Sequence, residues 1–429
     1  MGAGDRAGAP GARETGTVPA PSATAGPGAT AGPGSTVGQG STVGEGAVVR
    51  PAYGTGSLAD VLPSVLAALG VPGAADPLRL AERLAGARRV AVLLVDGLGY
   101  DLLPMAAPVA PILADVLAGK LGTLRPLTSG FPSTTPTSLT SLGTGAAPGA
   151  HGLVGFTVNV PGTARVLNHI EWREDPDPAS WQPLPTQFRR AAAAGVAVRV
   201  VSRPQYAGSG LTVSAYDGAS YRPASDVDAL AAHLLGALTD ADPPVLAYGY
   251  HPDLDAAGHD YGLDSPSWRR AAADVDRLLA RLVDGLPAGA ALVVTADHGQ
   301  VDVPPWARFD IGTDPRLRSG VAVVAGEPRV RYLHTVPGAV ADVCATWREV
   351  LGPAAWVGTR EEAVAGGWFG PVPEAHLPRL GDVVVACHDQ YAVFASGHEP
   401  DKIQRLVAFH GSWTPAEMRV PLLVVGPGD

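Results

Sequence analysis

After about position 56 the chain alternates short, continuous apolar runs with stretches in which apolar residues recur at helical spacing. The runs are RVAVLLVD, PPVLAYGY, ALVVTADHG and VPLLVVGPG. Their lack of polar alternation predicts strands buried on both faces, the parallel kind. Helices are predicted for LADVLPSVLAALG, PLRLAERLAGA, Val109 to Leu117, a segment opening near Pro136, ASDVDALAAHLLGALTD and PSWRRAAADVDRLLARLVDGL. Strand and helix in turn predict an α/β fold with a mostly parallel central sheet and helices on both faces.

The rhythm loosens twice. Residues 155–220 are mixed in polarity, carry Trp172, Trp181 and Tyr206, and show no long helix before the Ala-rich run from Arg189 to Ala194. Residues 303–397 hold RVRYLHTV and DVVVACH as strands and AVADVCATWREVLG as a helix. Both read as insertions capping one catalytic domain over 56–429. Residues 1–55 are mostly Gly, Pro, Ala, Ser and Thr, with a loose six-residue echo, TAGPGA, TAGPGS, TVGQGS, TVGEGA. Such a composition has too little apolar surface to offset chain entropy, so a disordered tail is expected.

Composition narrows the chemistry. With 41 acidic against 31 basic residues in 429, a formal charge of −10 and no basic run, a nucleic-acid scaffold is not expected as partner. Two distant cysteines, Cys344 and Cys387, make neither a CxxC pair nor a disulfide framework, which leaves oxygen and imidazole as metal ligands. The start, MGAGDRAGAPGARETG, lacks an apolar signal core, and no run reaches the length of a membrane span. A cytoplasmic protein is expected, with export requiring a different start site.

Candidate ligands stand at the ends of the apolar runs. Asp96 ends one strand before Gly-Leu-Gly; Asp297 and His298 end another; His410 follows RLVAF. Asp255 and His259 are four apart, so a helix puts both on one face, with Gly258 permitting close approach. Singly, each has an ordinary structural explanation, as a turn cap or a core histidine. Together they suit two divalent ions, zinc first and manganese second, about 4 Å apart, a spacing that stabilises both attacking and leaving oxygens of a phosphoryl transfer. In FPSTTPTSLTSLGTG, Pro136 fits the first helical position and makes Thr135 the N-cap, with Thr134 the alternative. A hydroxyl at a helix N-terminus is a good nucleophile site, because that end favours negative charge on oxygen.

In this order the residues resemble the alkaline phosphatase superfamily, and within it the nucleotide pyrophosphatase/phosphodiesterase, or type I phosphodiesterase, group, over about Arg88 to Gly428. The family's nucleophilic Thr precedes a TGxxPxxHG signature by nine residues; the signature reads TGAAPGAHG from Thr144, which selects Thr135. The resemblance implies an alkaline-phosphatase-like three-layer sandwich. It also implies one metal held by Asp255, His259 and His410, another by Asp96, Asp297 and His298, with Thr135 on the second or bridging, and a covalent phosphothreonine intermediate.

Two departures matter. The family's phosphoryl-contacting Asn, some twenty residues past the nucleophile, falls at Gly155 and Phe156, with Asn159 nearby. The sulfatase branch needs a Cys or Ser in a CxPxR-like motif, and neither cysteine is near Thr135. No Lys or Arg lies between Arg125 and Arg165, which favours diester or pyrophosphate substrates, nucleotides among them, over phosphomonoesters or phosphonates. A phosphomutase and a non-catalytic metal-binding relative are weaker alternatives.

Overall fold

The computed structural model describes residues 48–428, apart from 241 and 243. The expected tail therefore lies outside the described residues up to position 47. Its last part, 48–55, is packed on the domain, contrary to the expected boundary at 55: the Val49 amide donates to the Trp413 carbonyl and the Tyr53 hydroxyl to the Trp368 carbonyl. One aromatic side chain gives this stretch the apolar anchor that the rest of the tail's composition lacks.

Seven strands form the central sheet, in the order Thr123–Thr128, Arg419–Val425, Ala290–Thr295, Arg89–Val95, Val245–His251, Ala197–Ser202, Ser220–Pro223. The three strands in the middle are the apolar runs of the sequence. Val245–His251 and Ala290–Thr295 are wholly buried, and Arg89–Val95 is buried save for Arg89. All run parallel except Arg419–Val425, which is antiparallel to both neighbours.

Right-handed crossovers set the layers. From Ala197–Ser202 the chain moves outward through helix Gly210–Tyr216 to Ser220–Pro223, then back through Val227–Thr239 to Val245–His251, so these helices lie on opposite faces. Helix Pro266–Gly285 packs with Val227–Thr239 and Pro111–Leu117; helix Thr135–Thr144 packs with Gly210–Tyr216 on the other face. The result is the three-layer α/β sandwich expected from the sequence.

The first insertion is smaller than 155–220. Its strands Ala197–Ser202 and Ser220–Pro223 belong to the central sheet, and the inserted part is chiefly a hairpin, Thr157–Asn159 with Val166–Asn168. Thr123–Thr128 and Ser220–Pro223 lack continuous apolar runs because they are the two edges of the sheet and expose several residues, Pro126 being tolerated at an edge. Ala197–Ser202 lies one place in from the edge and is largely buried, its run interrupted by the exposed Arg199. The strands within 303–397 form no part of the main sheet. Strands Val321–Glu327, Val330–Thr335, Val383–Cys387 and Ala355–Thr359 make an antiparallel sheet under helix Val340–Leu351, around a separate core with Trp347 at its centre. The expected helix PLRLAERLAGA shrinks to Leu80–Arg83, because Arg79 takes a left-handed conformation and Gly86 another.

Candidate active site

Strand register brings the first ligands level. Val95 pairs with His251 and Leu94 with Thr295, so Asp96 and the Asp297–His298 turn leave the same, carboxyl edge of the sheet, where open α/β folds place ligands. Consecutive strand residues would face opposite ways, but the strand ends at Thr295, and the turn swings both side chains to one side. His298 Nε2 lies 3.2 Å from Asp297 Oδ2 and 3.5 Å from Asp96 Oδ1. Asp297 Oδ1 accepts from the amides of Gly97 and His298, both at 3.1 Å. Gly97 has φ +73°, and a Cβ there would stand 3.0 Å from the Asp255 backbone, so this turn needs glycine on both counts.

The helix at the candidate nucleophile runs Thr135–Thr144, and its N-cap is Thr134 rather than Thr135, one residue earlier than the proline suggested. Pro136 occupies the second helical position, equally free of a hydrogen-bonding demand. The two hydroxyls consequently face different surroundings. Thr134 Oγ1 is sealed and donates to Glu327 Oε2 at 3.0 Å, whereas Thr135 Oγ1 lies 3.2 Å from His298 Nε2 and faces a cavity.

Asp255 and His259 lie on helix Asp253–Tyr261, with His259 Nε2 3.3 Å from Asp255 Oδ2. A Cβ on Gly258 would meet the Gln300 side chain at 1.9 Å, so the glycine lets Gln300 reach Asp255 Oδ1, at 2.5 Å. His410 follows the short strand Ala408–Phe409, and its Nε2 is 3.2 Å from that of His259 and 3.8 Å from Asp255 Oδ1. Its ring stacks on His298 with centroids 3.5 Å apart.

These contacts fit a cation. Each of the three histidines points Nδ1 at a backbone carbonyl: His259 at Ala408 (2.7 Å), His298 at Gly299 (3.1 Å) and His410 at Ser133 (2.9 Å). A carbonyl only accepts, so Nδ1 carries the proton and each Nε2 presents a bare lone pair inward, the tautomer of a metal ligand. Two such lone pairs 3.2 Å apart repel unless something positive lies between them. Asp96 Oδ1 and Asp297 Oδ2 are buried without a hydrogen-bond partner, costly for a carboxylate lacking a cation. Burial, then the charges of Asp297 and Asp255, push the Asp96 carboxyl well above its ordinary range; burial raises Asp297. Burial and the neighbouring imidazoles push His410 well below its ordinary value. Two groupings stand close enough to share an ion, Asp255–His259–His410 and Asp96–Asp255–His298. Asp255 thus reaches both sets, and Asp297 adjoins the second through His298.

Above Thr135 opens a cavity of about 310 Å³, with Asp96, Asp255, His259 and His410 in its floor. Phe156 lines it; Asn159 instead sits in the hairpin strand, backbone-paired with Val166, so the expected phosphoryl contact is not at that residue. Three contributors escaped the sequence reading. The Tyr250 hydroxyl donates to Asp96 Oδ2, Gln300 holds Asp255, and Glu327 holds Thr134. Glu327 had a signal, a lone carboxylate ending the apolar run VAVVAGE.

The fold has counterparts among known proteins. The family model for type I phosphodiesterase / nucleotide pyrophosphatase matches residues 90–413. No curated protein matches the sequence. Among solved structures, murine ectonucleotide pyrophosphatase / phosphodiesterase 5 aligns at TM-score 0.64 and 21% identity, covering 79% of this chain and 88% of its own. The same murine protein, as an inactive threonine-to-alanine variant in complex with AMP, aligns at TM-score 0.64 and 20% identity over the same shares. Phosphonoacetate hydrolase from Sinorhizobium meliloti 1021, in complex with phosphonoacetate, aligns at TM-score 0.62 and 20% identity, covering 79% of this chain and 90% of its own. With more than half the chain matched by the family model, the protein belongs to the type I phosphodiesterase / nucleotide pyrophosphatase family of the alkaline phosphatase superfamily and is a phosphoric ester hydrolase.

Proposed function

We propose that the chain hydrolyses phosphodiester or pyrophosphate bonds with two divalent metal ions, zinc or else manganese, through a phosphothreonine on Thr135. The observation that carries this reading is the inward-facing Nε2 lone pairs of His259, His298 and His410 beside the unpartnered oxygens of Asp96 and Asp297, next to the Thr135 hydroxyl. Asp255, His259 and His410 would hold one ion, and Asp96, Asp297 and His298 the other. When bound, the ions supply charge stabilisation for the phosphoryl oxygens and lower the pKa of the attacking oxygen.

The chain's own part is positional. Thr135, at the first turn of its helix, presents Oγ1 to the cavity where the helix dipole favours negative charge on oxygen. Its attack on phosphorus forms the Thr135–phosphorus bond as the ester oxygen departs on the opposite side. Attack by water from that side then breaks the bond, restores the hydroxyl and releases a phosphomonoester. Tyr250 and Gln300 orient Asp96 and Asp255. Lys402 is the one Lys or Arg among the residues lining the cavity, which supports a monoanionic diester over a dianionic monoester. No helix among the described residues is long and apolar enough to cross a membrane.

Elemental analysis of the purified chain, with assays on bis-p-nitrophenyl phosphate and p-nitrophenyl phosphate, tests the proposal. Bound divalent metal and faster hydrolysis of the diester are expected. No metal and no hydrolysis of either ester would overturn it.

A further inference from the structure

The cavity over Thr135 has a charged floor and walls of a different chemistry. Leu139, Phe156, Ile170, Leu211, Ile403 and Leu406 face it from five separate segments. Most of the polar groups in those walls are already engaged. Ser209 Oγ donates to Thr212 Oγ1 at 3.1 Å, the Tyr216 hydroxyl lies 3.2 Å from that of Tyr248, and the Tyr250 hydroxyl is held by Asp96. At the mouth the single wall cation, Lys402, lies 3.8 Å from Glu171 Oε1, so its charge is partly answered by the chain itself.

These walls discriminate by charge. A substituent bearing further phosphates or a carboxylate would leave water for apolar side chains with one partly compensated lysine to meet it, and burying an unpaired charge is costly. An uncharged alkyl or aryl group would instead gain from each methylene it buries. We propose that the site selects phosphorus esters whose substituent in this cavity is uncharged and apolar, alkyl or aryl, and discriminates against substituents that carry additional negative charge. The proposal rests on the reading of the floor as a phosphoryl site.

Calorimetric binding to the full chain with zinc present tests it without requiring turnover, using methylphosphonate, n-hexylphosphonate and a hexylphosphonate ending in a carboxylate. The n-hexyl compound should bind tighter than the methyl by about tenfold or more, and the carboxylate should cancel that gain. Leu211→Asn and Ile403→Asn should each shrink the hexyl-to-methyl ratio. Equal affinity for hexyl and methyl, carboxylate binding as tight as hexyl, or no binding by any of the three overturns the proposal. Failure of the hydrolytic reading shows separately: a chain that binds the series as expected but hydrolyses neither nitrophenyl ester keeps its apolar pocket and loses its assigned reaction.

Discussion

The two proposed ligand sets are built in different ways. Asp96, Asp297 and His298 leave adjacent buried strands and are themselves almost sealed, at 3%, 0% and 0% exposed. Asp255 and His259 ride on a nine-residue helix, His410 on a loop, and the first two are partly open to the cavity. Sheet register positions the first set. The second depends on its neighbours, above all on the second insertion. Arg329 from that insertion forms a two-bond pair with Glu417 at 2.8 and 2.7 Å, fully buried. Glu417 in turn accepts from the Ser412 amide and the Thr414 hydroxyl, fixing the loop that follows His410. A buried ion pair is weak evidence for net stability, but losing one partner strands the other, so this loop has little freedom to take another shape. One set is held by the fold's centre, the other by a decoration upon it.

Thr135 sits against the sheet-held set, and its removal should give the largest effect. Thr135→Ala should keep its fold and metal while turnover falls on the order of a thousandfold or more. Thr134→Ala loses a hydrogen bond to Glu327 but no contact with the ligands, and should retain most of its activity. Steady-state rates with metal analysis decide between them, and a reversed ranking would move the nucleophile by one residue.

Substitution within each set should separate their roles. Asp297→Asn keeps an oxygen to accept the Gly97 and His298 amides but replaces the unpartnered Oδ2 with an amide nitrogen, so the ion suffers while the turn is kept. Metal content should fall by one ion or more and turnover by about a hundredfold or more. His259→Gln, at the more open set, should lose the ion near His410 first and leave the sheet-held ion in place. Metal stoichiometry by elemental analysis reads the difference. If both variants lose both ions equally, Asp255 couples the sets more tightly than their separate construction suggests.

This difference also governs what the sequence could reveal. A ligand at the end of a fully buried parallel strand follows a continuous apolar run, so Asp96 and Asp297–His298 stand out, as do the three central strands. Asp255 and His259 are visible through helical spacing alone. The edge strand Ser220–Pro223 needs no apolar run because it exposes several residues, and the exposed Arg199 interrupts the run of its neighbour Ala197–Ser202, so neither reads from the sequence as part of the central sheet. The N-cap lies at Thr134, one residue before the expected Thr135, because proline suits both the first and second helical positions. Contacts between segments far apart in the chain, such as Glu327 with Thr134 and Gln300 with Asp255, leave no local pattern. The cavity walls, gathered from five segments, are of the same kind.

Glu327, from the second insertion, offers the smallest and most pointed test of how the decoration supports the helix that carries Thr135. Burial pushes its carboxyl from an ordinary value of 4.5 up to about 8, against the lowering effect of the Thr134 hydrogen bond. Between those values the folded chain keeps a proton that the unfolded chain has released. Folding therefore binds protons, and the contribution of Glu327 to stability falls as pH rises from about 4.5 to about 8, then levels off. Gln keeps the shape and an acceptor for Thr134 without the ionisation. Glu327→Gln should thus retain turnover within about threefold, because the Thr134 contact survives, and should unfold at a temperature that gains on the parent as pH rises from about 5 to about 8. The raised carboxyls of Asp96 and Asp297 are common to both chains and cancel in this difference. Thermal unfolding across that range is the measurement. A gap that narrows with pH would mean that Glu327 is ionised in the fold and that its charge, rather than its shape, holds the cap of the Thr135 helix.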